Sequence, residues 1–518
     1  MQAKQQNKPK SHPIFRWMRR LFPIFLSVKT GDYEPNLKFQ RTEVVLDKRK
    51  FYINGEWVLP ITPNSFEVIN PATEKIIAVI SLGTPKDIDR AVTVARNAFA
   101  AYSRTSVADR LAMLEKLLEI YKRRYSEMVD TITLELGAPK TMCHEQQADV
   151  GVGHLQGFID ALRVSHNRED LPNGDVLLRE PIGVCGLITP WNWPVNQIAL
   201  KVIPALAAGC TCVLKPSEFT PLNAMLYAEM IHEAGFPAGV FNLVNGDATV
   251  GAALSTHKNV DMMSFTGSTR AGIAVSKDAA DTVKRVTVEL GGKSPNIIFE
   301  DADLEDRVAG SVWECFNNSG QSCDAPTRLL VQRSVYDQVI EIATRCGNET
   351  QVGDPSQEGG HIGPLVSHIQ YGRVQALIEA GIAEGARLLV GGAGKPEGFE
   401  TGYYTKPTIF ADVNNTMRIA REEVFGPVLA IIPFETEEEA INIANDTSYG
   451  LAAYIQTGNA DRADRVASQL KAGMIHINGA PHRYGSPFGG YKQSGNGREG
   501  GRFGLEDYQE LKTIHRPQ

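Results

Sequence analysis

Short apolar runs alternate with amphipathic stretches through the middle of the chain, from residue 181 to residue 290. The runs have the length and composition of buried strands, and Gly, Pro or polar residues follow each of them. Their sequences are GVCGLITP, CTCVLKP, VFNLVNG, DMMSFTG and KRVTVEL. Helices are predicted between them over residues 196–208, 221–234, 248–255 and 269–280. This alternation predicts a parallel, doubly wound sheet, in which ligands bind at the carboxyl ends of the strands.

The flanking segments carry similar patterns. Hairpins are predicted at FYINGEW and over residues 67–80, and helices over residues 85–102 and 108–137, the last ending at Gly137. From residue 296 a second α/β series is predicted. It comprises the strand NIIFEDAD, a helix over 309–317, the strand RLLV, a helix from Val335, the strand GMIHING and a closing helix-to-strand segment, LEDYQELKTIHRP. Two α/β domains with a cleft between them follow from this pattern.

Length and charge narrow the class of protein. A chain of 518 residues is too long for one ordinary core, which agrees with two or three domains. Apolar residues make up 42% and charged residues 22%, as in soluble globular proteins. The net charge of -7 argues against a nucleic-acid-binding protein, whose surface is usually basic.

The first thirty residues contain Lys and Arg but no Asp or Glu. The apolar stretch over residues 21–28 is too short to span a bilayer, and no apolar run of about twenty residues occurs elsewhere. We expect residues 1–50 to be a flexible basic extension without a catalytic role, on a cytoplasmic protein that does not enter a membrane. A membrane-surface segment and a transit peptide are the alternatives.

The seven cysteines do not form the pattern of a disulfide framework or a metal site. Cys210 and Cys212 lie in an apolar run and are predicted to be buried. Cys323 instead follows Gly320, Gln321 and Ser322, and a thiol in such a loop is placed for exposure. Cys323 is therefore the candidate nucleophile.

Polar residues in the turns after the predicted strands could serve such a nucleophile. Asn192 can donate to a developing oxyanion, and Glu289 can act as a base. A thiolate that attacks an aldehyde forms an alkoxide, which expels hydride to a nicotinamide and leaves a thioester for water to hydrolyse. Taken singly, each turn residue also has a purely structural explanation, such as ordinary turn chemistry around Asn192.

Several motifs together resemble the aldehyde dehydrogenase superfamily. They are TPWNWP, LKPSE, FTGST, VELGGKSPNII, GQSC, EEVFGPV and SPFGGYKQSGNGRE, and the match runs from about Phe51 to the C-terminus. The resemblance implies that Cys323 is the nucleophile, that Asn192 and the Cys323 backbone N–H hold the oxyanion, and that Glu289 activates the hydrolytic water. It gives Glu499 a less secure part in proton relay.

The resemblance also implies a dinucleotide site. Lys215 and Glu218 are expected at the adenine ribose, Gly267 and Ser268 at the pyrophosphate, and Glu423 at the nicotinamide ribose. Because a carboxylate at Glu218 would repel a 2′-phosphate, NAD is favoured over NADP. No catalytic metal is expected. The residues expected to contact the cofactor are Thr189, Pro190, Trp191, Lys215, Ser217, Glu218, Gly246, Gly267, Ser268, Leu290, Glu423 and Phe425.

Asp324, directly after the nucleophile, departs from the family pattern. If its side chain points inward, its charge should raise the pKa of the Cys323 thiol and repel an anionic substrate. The simpler expectation, which we favour from sequence, is that Asp324 turns away and caps a local backbone N–H.

The substrate pocket is the part that the sequence defines least. By resemblance it is lined by Trp193, Gln197, Trp313, Asn317, Asp324, His482 and Tyr484. The aromatic members favour an aromatic or medium-sized apolar aldehyde. His482 and Arg483 would suit a semialdehyde acid instead, although we expect both to face solvent.

Two other functions are open. One is a CoA-acylating semialdehyde dehydrogenase, a branch that typically lacks the carboxylate present here as Glu289. The other is a catalytically silent structural or binding protein, against which Cys323, Asn192 and Glu289 all argue. The resemblance implies an NAD-binding domain over 51–160 and 181–288 and a catalytic domain over 289–488. It also implies bridging segments over 161–180 and 489–518, which add strands to a neighbouring subunit in a homodimer or homotetramer.

Overall fold

The computed structural model describes residues 45–516, which fold into four sheets flanked by helices. The strands are β1 (Leu46–Lys48), β2 (Phe51–Ile53), β3 (Glu56–Val58), β4 (Ser65–Ile69), β5 (Ile76–Ser81), β6 (Arg168–Asp170), β7 (Val176–Pro181), β8 (Val184–Ile188), β9 (Thr211–Lys215), β10 (Phe241–Leu243), β11 (Met262–Thr266), β12 (Arg285–Glu289), β13 (Pro295–Ile298), β14 (Arg328–Gln332), β15 (Arg387–Val390), β16 (Thr408–Ala411), β17 (Val428–Phe434), β18 (Ala452–Gln456), β19 (Met474–Ile477), β20 (Gly495–Asn496) and β21 (Gln509–Ile514). The helices are α1 (Pro85–Tyr102), α2 (Val107–Arg123), α3 (Tyr125–Leu136), α4 (Lys140–Met142), α5 (Asp149–Arg163), α6 (Pro194–Ala208), α7 (Leu222–Ala234), α8 (Ala248–Thr256), α9 (Thr269–Ala280), α10 (Leu304–Phe316), α11 (Tyr336–Glu349), α12 (His368–Ala383), α13 (Arg418–Arg421), α14 (Glu437–Asn445), α15 (Ala460–Ala467) and α16 (Gly501–Glu506).

The largest sheet has eight strands in the order β20-β12-β11-β8-β9-β10-β2-β3. Its five central strands, β8 to β12, are parallel, as the alternating pattern predicts. The hairpin β2–β3 extends one edge, and β20 pairs antiparallel with β12 at the other. Because the central strands are parallel, their carboxyl ends lie along one edge of the sheet.

A second sheet has seven strands in the order β15-β16-β17-β14-β13-β18-β19. All neighbours are parallel except β15, which pairs antiparallel with β16. The second α/β series predicted from the sequence forms this sheet. Together the two sheets confirm the predicted α/β fold.

Two three-stranded sheets complete the fold. One has the order β21-β7-β6, so it joins the C-terminal strand to strands from the segment before the large sheet. The other has the order β1-β5-β4. Strand β1 pairs with β5 although residues 1–50 were expected to be flexible, so that expectation is wrong for residues 46–48. The rest of it, over residues 1–44, lies outside the described residues.

Local sequence signals explain the helix ends. Helix α1 begins after Thr84, where Thr84 and Asp87 form a reciprocal cap. Helix α3 ends at Gly137 with φ 79°, a left-handed conformation that glycine adopts without strain. Helix α10 begins five residues before its predicted start, because Asp303 caps it and accepts a hydrogen bond from the N–H of Asp306.

Within residues 45–516, no helix is long and apolar enough to cross a membrane.

Candidate active site

The candidate residues of the large sheet all follow the carboxyl ends of its parallel strands. Ile188 is paired with Lys215, and Thr266 is paired with Glu289, so four strands end at nearly the same level. The turns after them carry the predicted residues 189–192, 215–218 and 267–268 beside Glu289. The fold thus brings together residues that are almost 100 positions apart along the chain.

Cys323 lies in the loop between α10 and β14 of the second sheet. Asn318 and Ser319 in this loop have φ near 55°, a conformation that costs energy for non-glycine residues. Gln321 holds the loop, because its amide accepts from the N–H of Val366 at 3.0 Å and donates to the carbonyl of Asn318 at 3.0 Å. Of the seven cysteines, all free thiols, Cys323 is the one that keeps partial exposure to solvent, as predicted.

The Asn192 side chain connects the two sheets at this point. Its Nδ2 donates to the carbonyl of Gln321 at 3.0 Å, two residues before the nucleophile. The backbone carbonyl of Asn192 accepts from the side chains of Gln147 at 3.1 Å and Asn318 at 2.8 Å. The residue is buried, and its backbone and side chain are both held beside the Cys323 loop, where the amide can serve as an oxyanion donor.

Carboxylates surround the Cys323 thiol. Burial raises the pKa of Cys323 well above its usual value, and the charges of Asp324, Glu423 and Glu289 raise it further. The resting nucleophile is therefore a neutral thiol at neutral pH, and a base must take its proton before it attacks an aldehyde.

Glu289 is one of the carboxylates that could act as that base. It is 4% exposed, and neither of its oxygens has a hydrogen-bond partner among the described residues. Burial and the charge of Glu499 raise its pKa, whereas Lys201 and Arg498 oppose the rise. A buried carboxylate without a partner is costly unless it serves a function or binds water or a ligand.

Glu499 and Lys201 form a buried ion pair behind Glu289. The second carboxylate oxygen of Glu499 has no partner within residues 45–516. Sequence analysis missed Lys201, although Gln197 and Lys201 are four residues apart on one helix and therefore share a face. That spacing could have placed Lys201 on the same face as Gln197, but the partner of Lys201, Glu499, is 298 residues away along the chain.

Glu423 rests on the backbone of the segment that follows Glu289. Its Oε1 accepts from the N–H of Gly292 at 3.1 Å, and a Cβ on Gly291 would overlap its carboxylate. Burial raises the pKa of Glu423 to about 7, partly offset by that hydrogen bond. The neighbouring Phe425 ring meets the Trp191 ring edge to face at 5.3 Å.

The remaining predicted cofactor residues fit a dinucleotide. Lys215 is buried and lies 3.5 Å from the carboxylate of Glu218, and burial lowers the lysine pKa. Ser268 caps α9, so that helix presents its N-terminal N–H groups to the same edge of the sheet. The others at this edge are Thr189, Pro190, Ser217, Gly246, Gly267 and Leu290, of which Thr189, Ser217, Gly246 and Leu290 are buried.

The favoured expectation for Asp324 is wrong. Its carboxylate caps no N–H among the described residues; instead it acts on Cys323, Glu314, Tyr454 and His482. Its backbone carbonyl accepts from the Tyr454 hydroxyl at 3.1 Å, which holds the backbone of Asp324 next to Tyr454. Sequence analysis missed Glu314 and Tyr454, because neither lies in a motif.

The other predicted pocket residues lie in two groups. Trp193 donates from Nε1 to Ser322 Oγ at 2.7 Å, and Asn317 donates to Gln146 at 2.8 Å, so both adjoin the Cys323 loop. Tyr484 packs on α5, with its ring 5.1 Å from that of His154. Gln197 is buried with an unpartnered Oε1, Trp313 is partly buried, and His482 and Arg483 are exposed as expected.

In the described part of the chain, no group of three or more His, Cys, Asp or Glu side chains could hold a metal ion.

The chain belongs to the aldehyde dehydrogenase family, because the model of that family matches residues 57–514. The resemblance seen in the sequence is thereby confirmed.

Individual relatives extend the similarity to nearly their full length. A 3-succinoylsemialdehyde-pyridine dehydrogenase from a Pseudomonas species is 54% identical over 470 residues, which cover 90% of this chain and 98% of that protein. The crystal structure of an aldehyde dehydrogenase from Bartonella henselae is 53% identical with a TM-score of 0.90, covering 91% of this chain and 99% of that one. A mutant of aldehyde dehydrogenase C from Pseudomonas syringae, complexed with NAD+ and octanal, is 49% identical with a TM-score of 0.89, covering 90% of this chain and 96% of that one.

Proposed function

We propose that this protein oxidises an aldehyde to a carboxylic acid with NAD, through a thiohemiacetal and then a thioester on Cys323. The observation that carries the proposal is the position of Glu289. Its buried carboxylate has no hydrogen-bond partner among the described residues, and its charge raises the pKa of the Cys323 thiol. Such a group can take the thiol proton and later activate the water that hydrolyses the thioester.

Asn192 and the Cys323 backbone N–H are the proposed oxyanion donors. When the thiolate attacks, charge develops on the aldehyde oxygen, and a rigid buried amide stabilises that charge without reorganisation. The hydrogen bonds that fix Asn192 between the two sheets support this role.

Glu499 and Lys201 are proposed to receive the proton that Glu289 collects. Glu499 keeps one oxygen on Lys201 and one oxygen without a partner, and its charge raises the pKa of Glu289. A carboxylate that must lose its proton in each turnover needs such an acceptor on its buried side.

NAD supplies the acceptor for the hydride when it is bound. We propose that Lys215 and Glu218 hold its adenine ribose, Ser268 and the start of α9 its pyrophosphate, and Glu423 its nicotinamide ribose. The short distance between Lys215 and Glu218 supports NAD over NADP, because the carboxylate would face a 2′-phosphate. The NAD+ complex of the Pseudomonas syringae relative agrees with this choice.

The substrate is proposed to be an aromatic or medium-sized apolar aldehyde. Trp193 turns its polar Nε1 to Ser322, so its ring is free to present an apolar face. One relative is named for a pyridine-containing semialdehyde and another was crystallised with octanal, and both compounds are consistent with this class.

A CoA-acylating semialdehyde dehydrogenase is the second candidate. Its thioester would pass to CoA instead of water, so a base for water would not be needed. The buried Glu289 carboxylate favours hydrolysis.

The test is the rate of NADH formation from a panel of aldehydes, with NAD or NADP and with or without CoA. We expect turnover with NAD that does not depend on CoA. A strict requirement for CoA would replace the proposal with the acylating function, and no turnover with any aldehyde would reject both.

A further inference from the structure

We infer that Asp324 selects the charge of the substrate. It makes the Cys323 site favour aldehydes that are uncharged or carry a cationic nitrogen, such as an ammonium group, over aldehydes that carry a carboxylate. The inference rests on the proposed function, because it concerns the aldehyde of that reaction.

The backbone of Asp324 is fixed beside the nucleophile. Its carbonyl accepts from the Tyr454 hydroxyl at 3.1 Å, and the Tyr454 ring stacks on that of His476 at 4.8 Å with an angle of 16°. Cys323 and Phe488 pack against the same small apolar cluster as Tyr454. These contacts hold the backbone of Asp324 beside the nucleophile.

The Asp324 carboxylate is available to a ligand. It is partly buried, and no described residue donates a hydrogen bond to it. Buried or partly buried carboxylates normally find a donor, so a substrate N–H or a cationic nitrogen would satisfy a group that the chain leaves unpaired.

The surrounding charges do not reverse this preference. The charges that raise the pKa of the Cys323 thiol are those of Asp324, Glu423 and Glu289. His482 is the basic group whose pKa Asp324 affects; its side chain is exposed, but partial desolvation of the ring lowers its pKa, which leaves it neutral at pH 7. The nearby Tyr454 and Cys315 groups have pKa values raised by burial and are neutral too. A substrate carboxylate would therefore meet net negative charge.

The experiment compares three aldehydes of the same ring size: para-carboxybenzaldehyde, benzaldehyde and para-trimethylammoniobenzaldehyde. For the wild-type protein we expect kcat/KM for the anionic aldehyde to be about tenfold below that for benzaldehyde, with the cationic aldehyde at or above benzaldehyde. Raising the ionic strength should narrow this range, because salt screens partly exposed charges. That measurement needs no variant.

Asp324→Asn should raise the ratio of anionic to neutral kcat/KM by about tenfold. The ratio is the readout because any effect of the substitution on the thiol acts on all three aldehydes alike. Glu341→Gln, on the exposed side of α11, is the matched control and should leave the ratio unchanged.

Equal kcat/KM values for the three aldehydes, or an unchanged ratio of anionic to neutral kcat/KM in Asp324→Asn, would overturn the inference and leave the proposed function standing. No turnover of any aldehyde would reject the proposed function itself.

Discussion

Glu289 works in surroundings that oppose its ionised form. Burial and Glu499 raise its pKa, so it becomes an effective base only as the pH rises through that raised value. We therefore expect the steady-state rate to increase from neutral to alkaline pH. The Cys323 thiol adds to the same trend, because its pKa is raised as well.

Glu289→Gln should form about one equivalent of NADH per site, more slowly than the wild type, and then stall, because the Cys323 thiol then loses its proton only to solvent and the amide cannot activate water for the thioester. Rapid-mixing measurements of NADH absorbance would record this single turnover. Cys323→Ala is the control and should form no NADH while still binding NAD. Steady turnover by Glu289→Gln at the wild-type rate would move the base to another residue.

Gly291 is the residue whose missing side chain makes room for Glu423. In Gly291→Ala the new methyl group would push the Glu423 carboxylate aside and break its hydrogen bond to the Gly292 N–H. Loss of one hydrogen bond of about 1 kcal/mol should raise the KM for NAD by about fivefold. Gly372→Ala, at a helix position where a Cβ meets nothing within 4 Å, is the matched control. An unchanged KM for NAD in Gly291→Ala would remove Glu423 from the cofactor site.

At the scale of elements, Glu135 joins two helices. From the end of α3 its carboxylate accepts the N–H groups of Leu222 at 2.7 Å and Asn223 at 2.9 Å, at the start of α7. It is fully buried, and burial raises its pKa from 4.5 to about 7 despite those hydrogen bonds. The stability of this contact between α3 and α7 should therefore depend on pH.

The sign of its effect follows from that shift. Because the folded protein holds the Glu135 proton more tightly than the unfolded chain does, the contribution to stability is full below about pH 4.5 and is lost as the pH rises through about 7. The free energy of unfolding of wild type relative to that of Glu135→Gln should therefore decrease between pH 5 and pH 8, by up to about 3 kcal/mol. Thermal unfolding of both proteins at each pH would show the decrease as a smaller difference in midpoint temperature. Glu119→Gln, exposed on α2, should show no such trend. A difference that is constant with pH would contradict the assignment.

Elements with a local signal could be predicted, and those fixed by distant partners could not. Strands β8 to β12 are continuous apolar runs, and α1 has its cap and period in one stretch of sequence. Strand β1 depends on pairing with β5, and the backbone of Asp324 is held by Tyr454, 130 residues away. In the candidate site, the motifs supplied Cys323 and its expected partners, whereas Glu314 is recognised only from its neighbours in space.

At the scale of the whole molecule, β21 is an exposed edge. It ends the sheet β21-β7-β6, and its Leu511 is 65% exposed. An unpaired edge strand with an exposed apolar side chain is a natural site for pairing with another subunit. This agrees with the homo-oligomer expected from the resemblance, which stays a prediction.

Leu511→Glu should lower the mass in solution toward that of a 56.7 kDa monomer, because a charge at the interface must be desolvated. Light scattering coupled to gel filtration measures the change. Ile369→Glu, at a similarly exposed position on α12, is the control and should keep the wild-type mass. A wild-type mass for Leu511→Glu would place the interface elsewhere.

The pairing of β20 with β12 has a consequence for synthesis of the protein. Glu289 is paired with Gly495, so the ribosome must add about 200 residues after β12 before β20 exists. At 5–20 residues per second, that edge of the nascent sheet waits roughly 10–40 s for its last strand. An unprotected strand edge that persists for so long invites wrong pairing, so newly made chains should depend on chaperones until β20 has been made.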